Sequence, residues 1–392
     1  MEAIGIICEY NPLHLGHKKQ IDIIRAAHPH SGIVCLMSGN YVQRGAPALL
    51  DKSLRAQAAI LSGADLVLEL PLTASLSSAE GFAMEGVRIL GSFCDGLCFG
   101  AETKDPEVLR ATAQALLSPQ FPEYLREELD KGVSFPVARQ AALQAMGLQH
   151  DTLTHPNDIL ATEYCKAILQ LGVAMTPMPI HRQGNYHDAA PNRENPSATA
   201  LRNLMLSGED WESFAPESAK SLFASATLHT TAAAEKAILF QLRTMSDEAF
   251  RSLPYSSEGL WRKLMRNART LSTLEQIIAA TKSKRYTRSR LDRMVMCAFL
   301  GITEKDIASP APYARVLALN DKGRELLKSA RKIGLFPNVG QWVEHPYQEL
   351  EYRANTLYSL FATKEEPLCL EQNRRIFYKD NLAGGNTYET EI

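Results

Sequence analysis

Two histidines near the amino end of the chain have the spacing to bind a phosphate group. They belong to the string H-L-G-H, in which His14 and His17 flank Gly16. An apolar run over 4–7 predicts a buried strand before the string, and the apolar spacing over 17–27 predicts a helix after it. The histidines therefore fall at a helix N-terminus, where partial positive charge and unpaired N–H groups attract phosphate.

This arrangement suits transfer of a nucleotidyl group. Such chemistry needs donors aimed at the non-bridging and leaving oxygens more than it needs a protein nucleophile. Gly16 lets a ligand approach the backbone closely, because glycine has no Cβ. A short motif of this kind also arises by chance as a helix cap or a surface turn. The strand, the Asn11-Pro12 turn and the helix follow one another in the right order, which favours the phosphate-binding interpretation.

Longer strings around the histidines resemble a known family. H-L-G-H after a first strand is similar to the signature of the HIGH-motif nucleotidyltransferase superfamily, which adenylylates acids and phosphates with ATP. E-Y-N-P-L-H-L-G-H at 9–17, S-G-N-Y-V-Q-R-G-A-P-A at 38–48 and D-L-V-L-E-L-P at 65–71 resemble, more narrowly, the tRNA(Met) cytidine acetate ligase family. The resemblance implies ATP, with Mg²⁺, as the cofactor and acetate and elongator tRNA(Met) as the partners, with no DNA and no membrane.

A later block resembles the second signature of the superfamily, I-S-S-T-x-x-R. It reads N-P-S-A-T-A-L-R at 195–202 and departs from the signature at Pro196 and Ala198. An isolated block of this kind is most often only a helix start. Beside H-L-G-H, its hydroxyls and open N–H groups would bind the β- and γ-phosphates as pyrophosphate leaves. The predicted catalytic residues are therefore His14, His17, Ser197, Thr199 and Arg202.

The resemblance also implies contacts to ATP in four parts of the chain. These contacts fall on Ile7, Glu9, Tyr10, Asn11, Pro12, His14, Gly16, His17, Gln20, Gly100, Asn157, Arg182 and Gln183. Asn157 lies in P-N-D-I-L, where capping of a helix is the commoner role of an asparagine. Arg182 follows a predicted strand, and its fixed charge and five donors suit phosphate.

Three charged residues near the 38–48 loop have two interpretations each. Lys52 and Arg55 open a predicted helix and could bind phosphate or a substrate carboxylate, although surface charge is the commoner role. Glu69 ends a predicted strand, where a buried polar link is as reasonable as catalysis. If a substrate amine attacks an activated acyl group, it must lose a proton to a base. Asp51 and Glu9 are the candidates for that base.

The first hundred residues alternate between strand and helix patterns. Strands are predicted over 32–37, 65–70 and 95–100, with helices over 52–62 and 77–91. This alternation favours a parallel sheet, whose ligands bind beyond the carboxyl ends of the strands. The predicted fold class is α/β, with a Rossmann-like parallel-sheet nucleotidyltransferase domain followed by a mainly α-helical C-terminal domain.

We predict two domains. The catalytic domain covers 1–212 and carries a helical insertion at about 106–150 that could act as a lid. Strand patterns almost vanish afterwards, so 213–392 is predicted to be a helical, basic, tRNA-binding domain.

Charge is distributed unevenly along the chain. The segment 255–332 has 17 Lys and Arg against 7 Asp and Glu, a net charge of +10 in a chain whose net charge is −2. Such segregation suggests a polyanionic partner, although a solvated basic helical face is the simpler explanation. The densest cluster, 281–294, includes an aromatic side chain that could stack on a base. The predicted RNA contacts are Lys282, Lys284, Arg285, Tyr286, Arg288 and Arg290.

Composition narrows the class of protein. A chain of 392 residues with 45% hydrophobic residues can bury two cores, and no apolar run reaches the length of a membrane span. Seven scattered cysteines do not resemble a disulfide framework, which favours a reducing cytoplasm. Cys94 and Cys98 are the nearest pair, but without a second cluster they are poor evidence for zinc, and no metal site is predicted.

The resemblance implies an ATP-dependent ligase that makes acetyl-adenylate and transfers the acetyl group to the wobble cytidine of elongator tRNA(Met). One alternative is a small-molecule adenylyltransferase, which would not need a basic helical domain. The other is a non-catalytic tRNA-binding protein, against which the intact His14, His17 and Arg202 argue.

Overall fold

The computed structural model describes residues 2–181, 196–283, 286–330, 337, 341–379 and 388–389. The strands are β1 (Ala3–Cys8), β2 (Gly32–Ser38), β3 (Tyr41–Val42), β4 (Ala46–Pro47), β5 (Leu66–Leu70), β6 (Gly96–Ala101), β7 (Thr176–His181), β8 (Val316–Leu319), β9 (Ile376–Tyr378) and β10 (Tyr388–Glu389). The described residues form an eight-stranded sheet in the order β10-β9-β8-β5-β2-β1-β6-β7, and β3 and β4 form a separate small ribbon.

Five strands make the parallel centre of the sheet. β1 pairs with β2 and β6, β2 pairs with β5, and β6 pairs with β7, all in parallel. Every residue of β1, β2 and β5 is buried, as expected for strands covered on both faces. The predicted α/β class is confirmed, and the carboxyl ends of β1, β2 and β6 meet at one edge.

Helices cover both faces of the sheet and continue beyond it. Up to residue 207 they are α1 (Leu15–Ala27), α2 (Lys52–Leu61), α3 (Leu72–Ser75), α4 (Ala79–Leu90), α5 (Pro106–Leu116), α6 (Phe121–Asp130), α7 (Phe135–Ala145), α8 (Pro156–Leu171) and α9 (Ala198–Ser207). The later ones are α10 (Glu217–Ala224), α11 (Glu235–Thr244), α12 (Asp247–Arg251), α13 (Leu260–Thr270), α14 (Leu274–Thr281), α15 (Arg288–Leu300), α16 (Glu304–Ala308), α17 (Asp321–Ala330) and α18 (Pro346–Tyr358). Within the described residues, none of these helices has both the length and the apolar character that crossing a bilayer requires.

The predicted helical region has a hydrophobic core of its own. Leu239, Leu264, Ile277 and Leu291, from α11, α13, α14 and α15, belong to a buried cluster separate from the one around the sheet. Apolar side chains of the insertion, such as Leu143, form a third, smaller cluster near α8. The helices therefore pack as a unit, as a chain of this length permits.

The C-terminal part of the chain also returns to the sheet, which the sequence patterns did not indicate. β8 pairs antiparallel with β5, β9 pairs parallel with β8, and β10 pairs antiparallel with β9. Residues of 314–330 and 376–378 belong to the same core as β1 and β2. The boundary at 212 stays a prediction, but the sheet includes strands from both sides of it.

A cluster of buried ionic groups joins this C-terminal segment to α2 and β5. We call it the buried ionic cluster; it contains Asp51, Lys52, Glu69, Arg315, Glu351, Glu371 and Arg374. Lys52 is fully buried, and its Nζ donates to Glu69 Oε2 at 2.7 Å and to Glu371 Oε1 at 3.0 Å. Arg374 binds both carboxylate oxygens of Asp51 at 2.7 Å. Paired charges of this kind are costly to separate once they are buried.

Four carboxyl groups face three cations in the buried ionic cluster. Burial, followed by the nearby Glu69 carboxylate, raises the pKa of Glu351 to about 7, against the opposing effect of Arg315. Arg315 Nε donates to Glu351 at 2.6 Å and therefore keeps the side chain in place in either ionisation state.

Replacing Lys52 by methionine should strongly destabilise the protein. The change leaves the Glu69 and Glu371 carboxylates buried without their shared cation, which costs about 3–5 kcal/mol of the free energy of unfolding. Urea denaturation followed by circular dichroism measures this loss. Lys328→Met, which breaks an exposed pair with Glu325, is the matched control and should change the free energy by less than about 1 kcal/mol. Equal effects from the two variants would contradict the assignment.

The free energy of unfolding should fall as pH rises from about 4.5 to about 7. Glu351 has a pKa of about 7 in the folded protein against an ordinary value of 4.5, so the folded state binds more protons in this window. The contribution is complete below the window and is lost above it, at up to about 3 kcal/mol. Urea denaturation across the window should show a flatter pH dependence for Glu351→Gln than for the unmodified protein. An unchanged slope would show that another group titrates.

Candidate functional site

The H-L-G-H string lies at the carboxyl end of β1, where it begins α1. His14 is the N-cap of this helix and is almost completely buried, while His17 is half-buried in the first turn. The carboxyl ends of β2 and β6 lie on either side of β1. The motif therefore occupies the edge at which parallel sheets bind their ligands.

Two hydrogen bonds fix the protonation pattern of both imidazoles. His14 Nδ1 accepts from the Gly16 N–H at 3.1 Å, and His17 Nδ1 accepts from the His14 N–H at 3.3 Å. A neutral imidazole whose Nδ1 accepts a hydrogen bond carries its proton on Nε2. Each ring therefore carries its N–H group at Nε2, the nitrogen through which it can donate to oxygen atoms.

Two backbone N–H groups of this turn, which were expected to bind phosphate, donate instead to acceptors within the turn. The Gly16 N–H donates to the His14 ring, and the His17 N–H donates to the His14 carbonyl oxygen at 2.9 Å. These two N–H groups are satisfied within the turn, so the imidazole edges become the main donors of the motif. The prediction that open N–H groups of this turn bind phosphate is wrong for these two groups.

Stacking holds the two rings in one place. Their centroids lie 3.7 Å apart with planes 20° from parallel, and the Tyr10 ring lies 4.9 Å from that of His17. Tyr10 is fully buried and has a positive φ of 44°, which is uncommon for a residue other than glycine. Backbone strain of this kind persists where the surroundings enforce it, often at functional sites.

The second predicted block lies directly against the first. Ser197 is the N-cap of α9, and its Oγ accepts from the Ala200 N–H at 3.0 Å. Arg202 Nη1 donates to the carbonyl oxygen of Asn11 at 2.7 Å, and its Nη2 donates to Thr199 Oγ1 at 3.0 Å. The Arg202 guanidinium group therefore joins two parts of the chain that lie 191 residues apart in sequence.

Gly16 packs closely between the two blocks. A Cβ added to Gly16 would lie 3.0 Å from His14 Cε1 and 3.8 Å from Pro196 Cδ. Asn11, in a cis peptide with Pro12, also accepts from the Leu49 N–H through its Oδ1 at 2.7 Å. The start of α1, the start of α9 and the 38–51 loop thus meet around one turn.

The predicted nucleoside contacts lie near the carboxyl end of β6. Gly100 belongs to this strand, and Gln20 Nε2 donates to the carbonyl oxygen of Cys98 at 3.3 Å. Asn157 does not cap α8; its Nδ2 donates to Glu102 Oε1 at 2.7 Å. Ile7 lies in β1 and is buried.

Sequence reasoning missed the pair that shapes this end of the strand. Glu102 Oε2 accepts from the Asp158 N–H at 2.9 Å, and Asp158 Oδ1 accepts from the Glu102 and Thr103 N–H groups at 2.8 and 2.9 Å. Carboxylates that bind backbone N–H groups at the first turn of a helix are stabilised there. Two features of the sequence could have indicated this pair: the Asp158 carboxylate directly after Asn157, and Glu102 with Thr103 directly after β6.

Lys52 and Arg55 are neither surface charges nor free phosphate ligands. Lys52 lies in the buried ionic cluster, and this also assigns Glu69 to a buried link rather than to catalysis. Arg55 is fully buried, and its Nη1 donates to the carbonyl oxygens of Glu9 and Ser38 at 2.6 and 3.0 Å. It therefore ties the ends of β1 and β2 together.

The two candidate bases differ in their surroundings. Asp51 caps α2 and is bound by Arg374, which lowers the pKa of its carboxyl group well below the ordinary value despite burial. A carboxylate held in this way is a poor base. Glu9 Oε1 accepts from the Gln43 N–H at 2.8 Å, which places this carboxylate between β1 and the 38–48 loop.

The predicted RNA contacts are partly engaged within the protein. Arg288 binds both carboxylate oxygens of Glu275 at 2.6 and 2.7 Å, and Arg290 donates to the Tyr255 carbonyl oxygen at 2.8 Å. Tyr286 donates to Glu258, and Lys282 is exposed at the end of α14. Four predicted site residues lie outside the described residues: Arg182, Gln183, Lys284 and Arg285.

Comparison with known proteins agrees with this architecture. A family model described as HIGH Nucleotidyl Transferase matches residues 1–373. The chain is 34% identical to tRNA(Met) cytidine acetate ligase of Clostridium acetobutylicum, covering 94% of this chain and 98% of the relative. It is 35% identical to the protein of the same name from Clostridium kluyveri, covering 98% of both chains.

Solved structures give the same result. The apo crystal structure of Thermotoga maritima TmcAL superposes with a TM-score of 0.88 at 29% identity, covering 96% of this chain and 100% of that chain. The crystal structure of the same protein bound with alpha-thio ATP superposes with a TM-score of 0.85, at the same identity and coverage. The chain therefore belongs to the HIGH nucleotidyl transferase family and, within it, to the family of tRNA(Met) cytidine acetate ligases.

Proposed function

We propose that this protein is an ATP-dependent ligase that activates acetate as acetyl-adenylate and acetylates N4 of the wobble cytidine of elongator tRNA(Met). The relatives' names supply the substrates. The observation that carries the proposal is the Arg202–Asn11 hydrogen bond, which joins the S-x-T-x-x-R block to the turn that holds both histidines. Donors from both ends of the catalytic half thus surround one space at the sheet edge.

In the first step, an acetate oxygen attacks the α-phosphorus of ATP. The bond from this phosphorus to the bridging oxygen breaks, and pyrophosphate leaves with the electron pair. His14 and His17 donate through Nε2–H to the α-phosphate oxygens and to the departing pyrophosphate as negative charge develops on them. Donors preorganised in this way stabilise a transition state without reorganisation.

The start of α9 binds the leaving group. Arg202 carries a permanent charge, and its planar guanidinium is held by Asn11 and Thr199, so its position is set before ATP arrives. The hydroxyls of Ser197 and Thr199 can each donate a hydrogen bond to phosphate oxygens. Together they offset the charge of pyrophosphate while it separates.

The adenosine lies at the end of β6. Gly100 and Asn157 contact the nucleoside, with Asn157 held in place by Glu102. Arg182 and Gln183, which come directly after β7 in the sequence, are the remaining predicted contacts and lie outside the described residues. The insertion at about 106–150 closes over the same edge as a lid.

Magnesium accompanies ATP in this proposal. Proteins usually bind Mg²⁺ on nucleotides through the phosphates and one or two carboxylates. Among the described residues, no group of three or more His, Cys, Asp or Glu side chains could hold a metal ion. The described chain therefore has no cage for the ion, and we assign it no protein ligands.

In the second step, the N4 amine of cytidine attacks the acetyl carbon, and AMP leaves with the electron pair. Glu9 takes the proton that the amine loses, because within the described residues it is the candidate base whose carboxylate is not held by an arginine. The helical region 213–392 binds the tRNA in this scheme, with the predicted contacts at Lys282, Tyr286, Arg288 and Arg290. The reaction takes place in the cytoplasm, where the cysteines, all free, stay reduced.

Acetate-dependent release of pyrophosphate from ATP tests the proposal against its alternatives. A small-molecule adenylyltransferase would release pyrophosphate with another acceptor and would not acetylate tRNA. A non-catalytic tRNA-binding protein would bind tRNA and release none. Acetylated tRNA together with acetate-dependent pyrophosphate release is the outcome that we expect.

Replacing either histidine should abolish the first step. His14→Ala and His17→Ala each remove one preorganised donor, which costs about 10²–10³-fold in rate. His30→Ala, at an exposed position after α1, is the control and should retain full activity. Pyrophosphate release measured by a coupled assay gives these rates. Near-normal rates in both site variants would refute the assignment.

Arg202→Lys should impair the same step although it keeps the positive charge. Lysine cannot bind the Asn11 carbonyl and Thr199 together as the planar guanidinium does. We expect at least a tenfold loss in the rate of pyrophosphate release. Arg375→Lys, at an exposed position directly before β9, is the matched control and should retain full activity. A fully active Arg202→Lys variant would show that charge alone is needed there.

A further inference from the structure

One face of α13 presents a row of arginines to solvent. Leu260, Leu264 and Ala268 are buried on the inner side of this helix. Arg262, Arg266 and Arg269 follow at spacings of four and three residues, which places them together on the opposite side. All three are exposed.

An aromatic ring lies beside this row. The Trp261 side chain is half-buried at the first turn of α13. The Arg262 guanidinium lies 5.0 Å from its ring centroid, and the Arg251 guanidinium, from the end of α12, lies 5.3 Å from it. Two fixed positive charges therefore lie within about 5 Å of the indole ring, a combination that suits a nucleotide's base and phosphate.

The arginines of this face are mostly unpaired. Arg269 binds Asp247 at 2.9 Å. Arg251, Arg262 and Arg266 make no ion pair in the part of the chain that the structure describes. The exposed acidic residues of the neighbouring helix are Asp247 and Glu248. Within the described residues, three guanidinium groups on or beside α13 are thus without a carboxylate partner.

The contrast with α15 is clear. Arg288 is neutralised by Glu275 and Asp292, and Arg290 is held by Tyr255 and Ser257. A phosphate that approached Arg288 would first have to displace two carboxylates. The face of α13 carries the same charge without that cost.

We propose that this face, which we call the α13 face and define by Arg251, Trp261, Arg262 and Arg266, is the main docking surface for a single-stranded RNA loop. The inference deepens the proposed function and rests on it for the identity of the RNA. Arg262 and Arg266 bind successive phosphates, and Trp261 stacks on an unpaired base. Loops are the parts of RNA whose bases are free to stack on aromatic side chains.

The face continues toward the end of α14. Lys263 Nζ donates to the carbonyl oxygen of Thr281 at 3.0 Å, next to the exposed Lys282. Lys282 therefore extends the positive surface from α13. One predicted RNA contact thus lies beside the α13 face.

Binding of an elongator tRNA(Met) transcript to the full chain tests the proposal. Arg262→Glu with Arg266→Glu should weaken binding at least tenfold. Lys305→Glu with Lys328→Glu changes the net charge equally on exposed positions of α16 and α17 and should stay within twofold. Arg288→Glu should have a smaller effect than the α13 pair. Filter binding measures these affinities, and circular dichroism checks that each variant folds.

Neutral substitutions separate phosphate contacts from general repulsion. Arg262→Gln with Arg266→Gln should reduce the slope of log affinity against log salt by about one to two units, since each lost phosphate contact removes about 0.7–0.9. Trp261→Ala should weaken binding about fivefold or more, and Trp261→Phe should restore most of it. These variants also keep the test valid if the double reversal does not fold.

Each result has a defined meaning. Binding within twofold of normal in the Arg262/Arg266 variants, or a greater loss in Arg288→Glu, overturns the α13 face. A change in oligomeric state without a loss of tRNA binding also overturns it, in favour of contact with a second copy. If the unmodified protein shows no acetate-dependent release of pyrophosphate, the proposed function is refuted instead. The RNA-binding measurement then still tests the α13 face.

Discussion

The site depends on two hydrogen bonds inside one helix turn. Because the Gly16 and His14 N–H groups bind the Nδ1 atoms of His14 and His17, both imidazoles are fixed as Nε2 donors before any ligand arrives. A free histidine would lose rotamer and tautomer freedom on binding, and that loss would oppose catalysis. Glycine suits this turn at position 16, since a Cβ there would lie 3.0 Å from the His14 ring and the ring would have to shift by a few tenths of an ångström. The motif is therefore a self-capped helix start that presents its imidazole edges.

Hydrogen bonds from several parts of the chain hold that turn in place, and the buried ionic cluster stabilises the same part of the fold. Arg55 binds the backbone after β1 and β2, and Asn11 binds both the 38–51 loop and Arg202. Behind this loop, Asn40 Nδ2 donates to Asn355 Oδ1 at 3.1 Å, and the Tyr41 hydroxyl donates to the Ala354 carbonyl at 2.8 Å. The loop beside the nucleotide edge is thus bonded to α18.

Local patterns predicted much of this arrangement. The parallel strands, the start of α1 and the start of α9 follow from apolar periodicity, proline and capping residues, which act over a few residues. β8 and β9 have four and three residues, too few for a period to show. The burial of Lys52 was equally invisible, since a lysine at a helix start is normally exposed and its partner Glu371 is 319 residues away. Contacts of this separation need the fold before they can be seen.

Net charge along the sequence is limited for a related reason, because it does not distinguish paired from unpaired cations. The 281–294 segment contains the most Lys and Arg, but counting does not show which of them already have carboxylate partners. Affinity for a polyanion depends on the counterions released from phosphate, so it requires cations that are not already neutralised. Arg288, between Glu275 and Asp292, contributes to the count without being available. Arg262 and Arg266 lie outside the segment with the most Lys and Arg. Helix geometry nevertheless places them together on an exposed face beside an indole. In the proposal, RNA binds those cations that have no carboxylate partner in the folded chain.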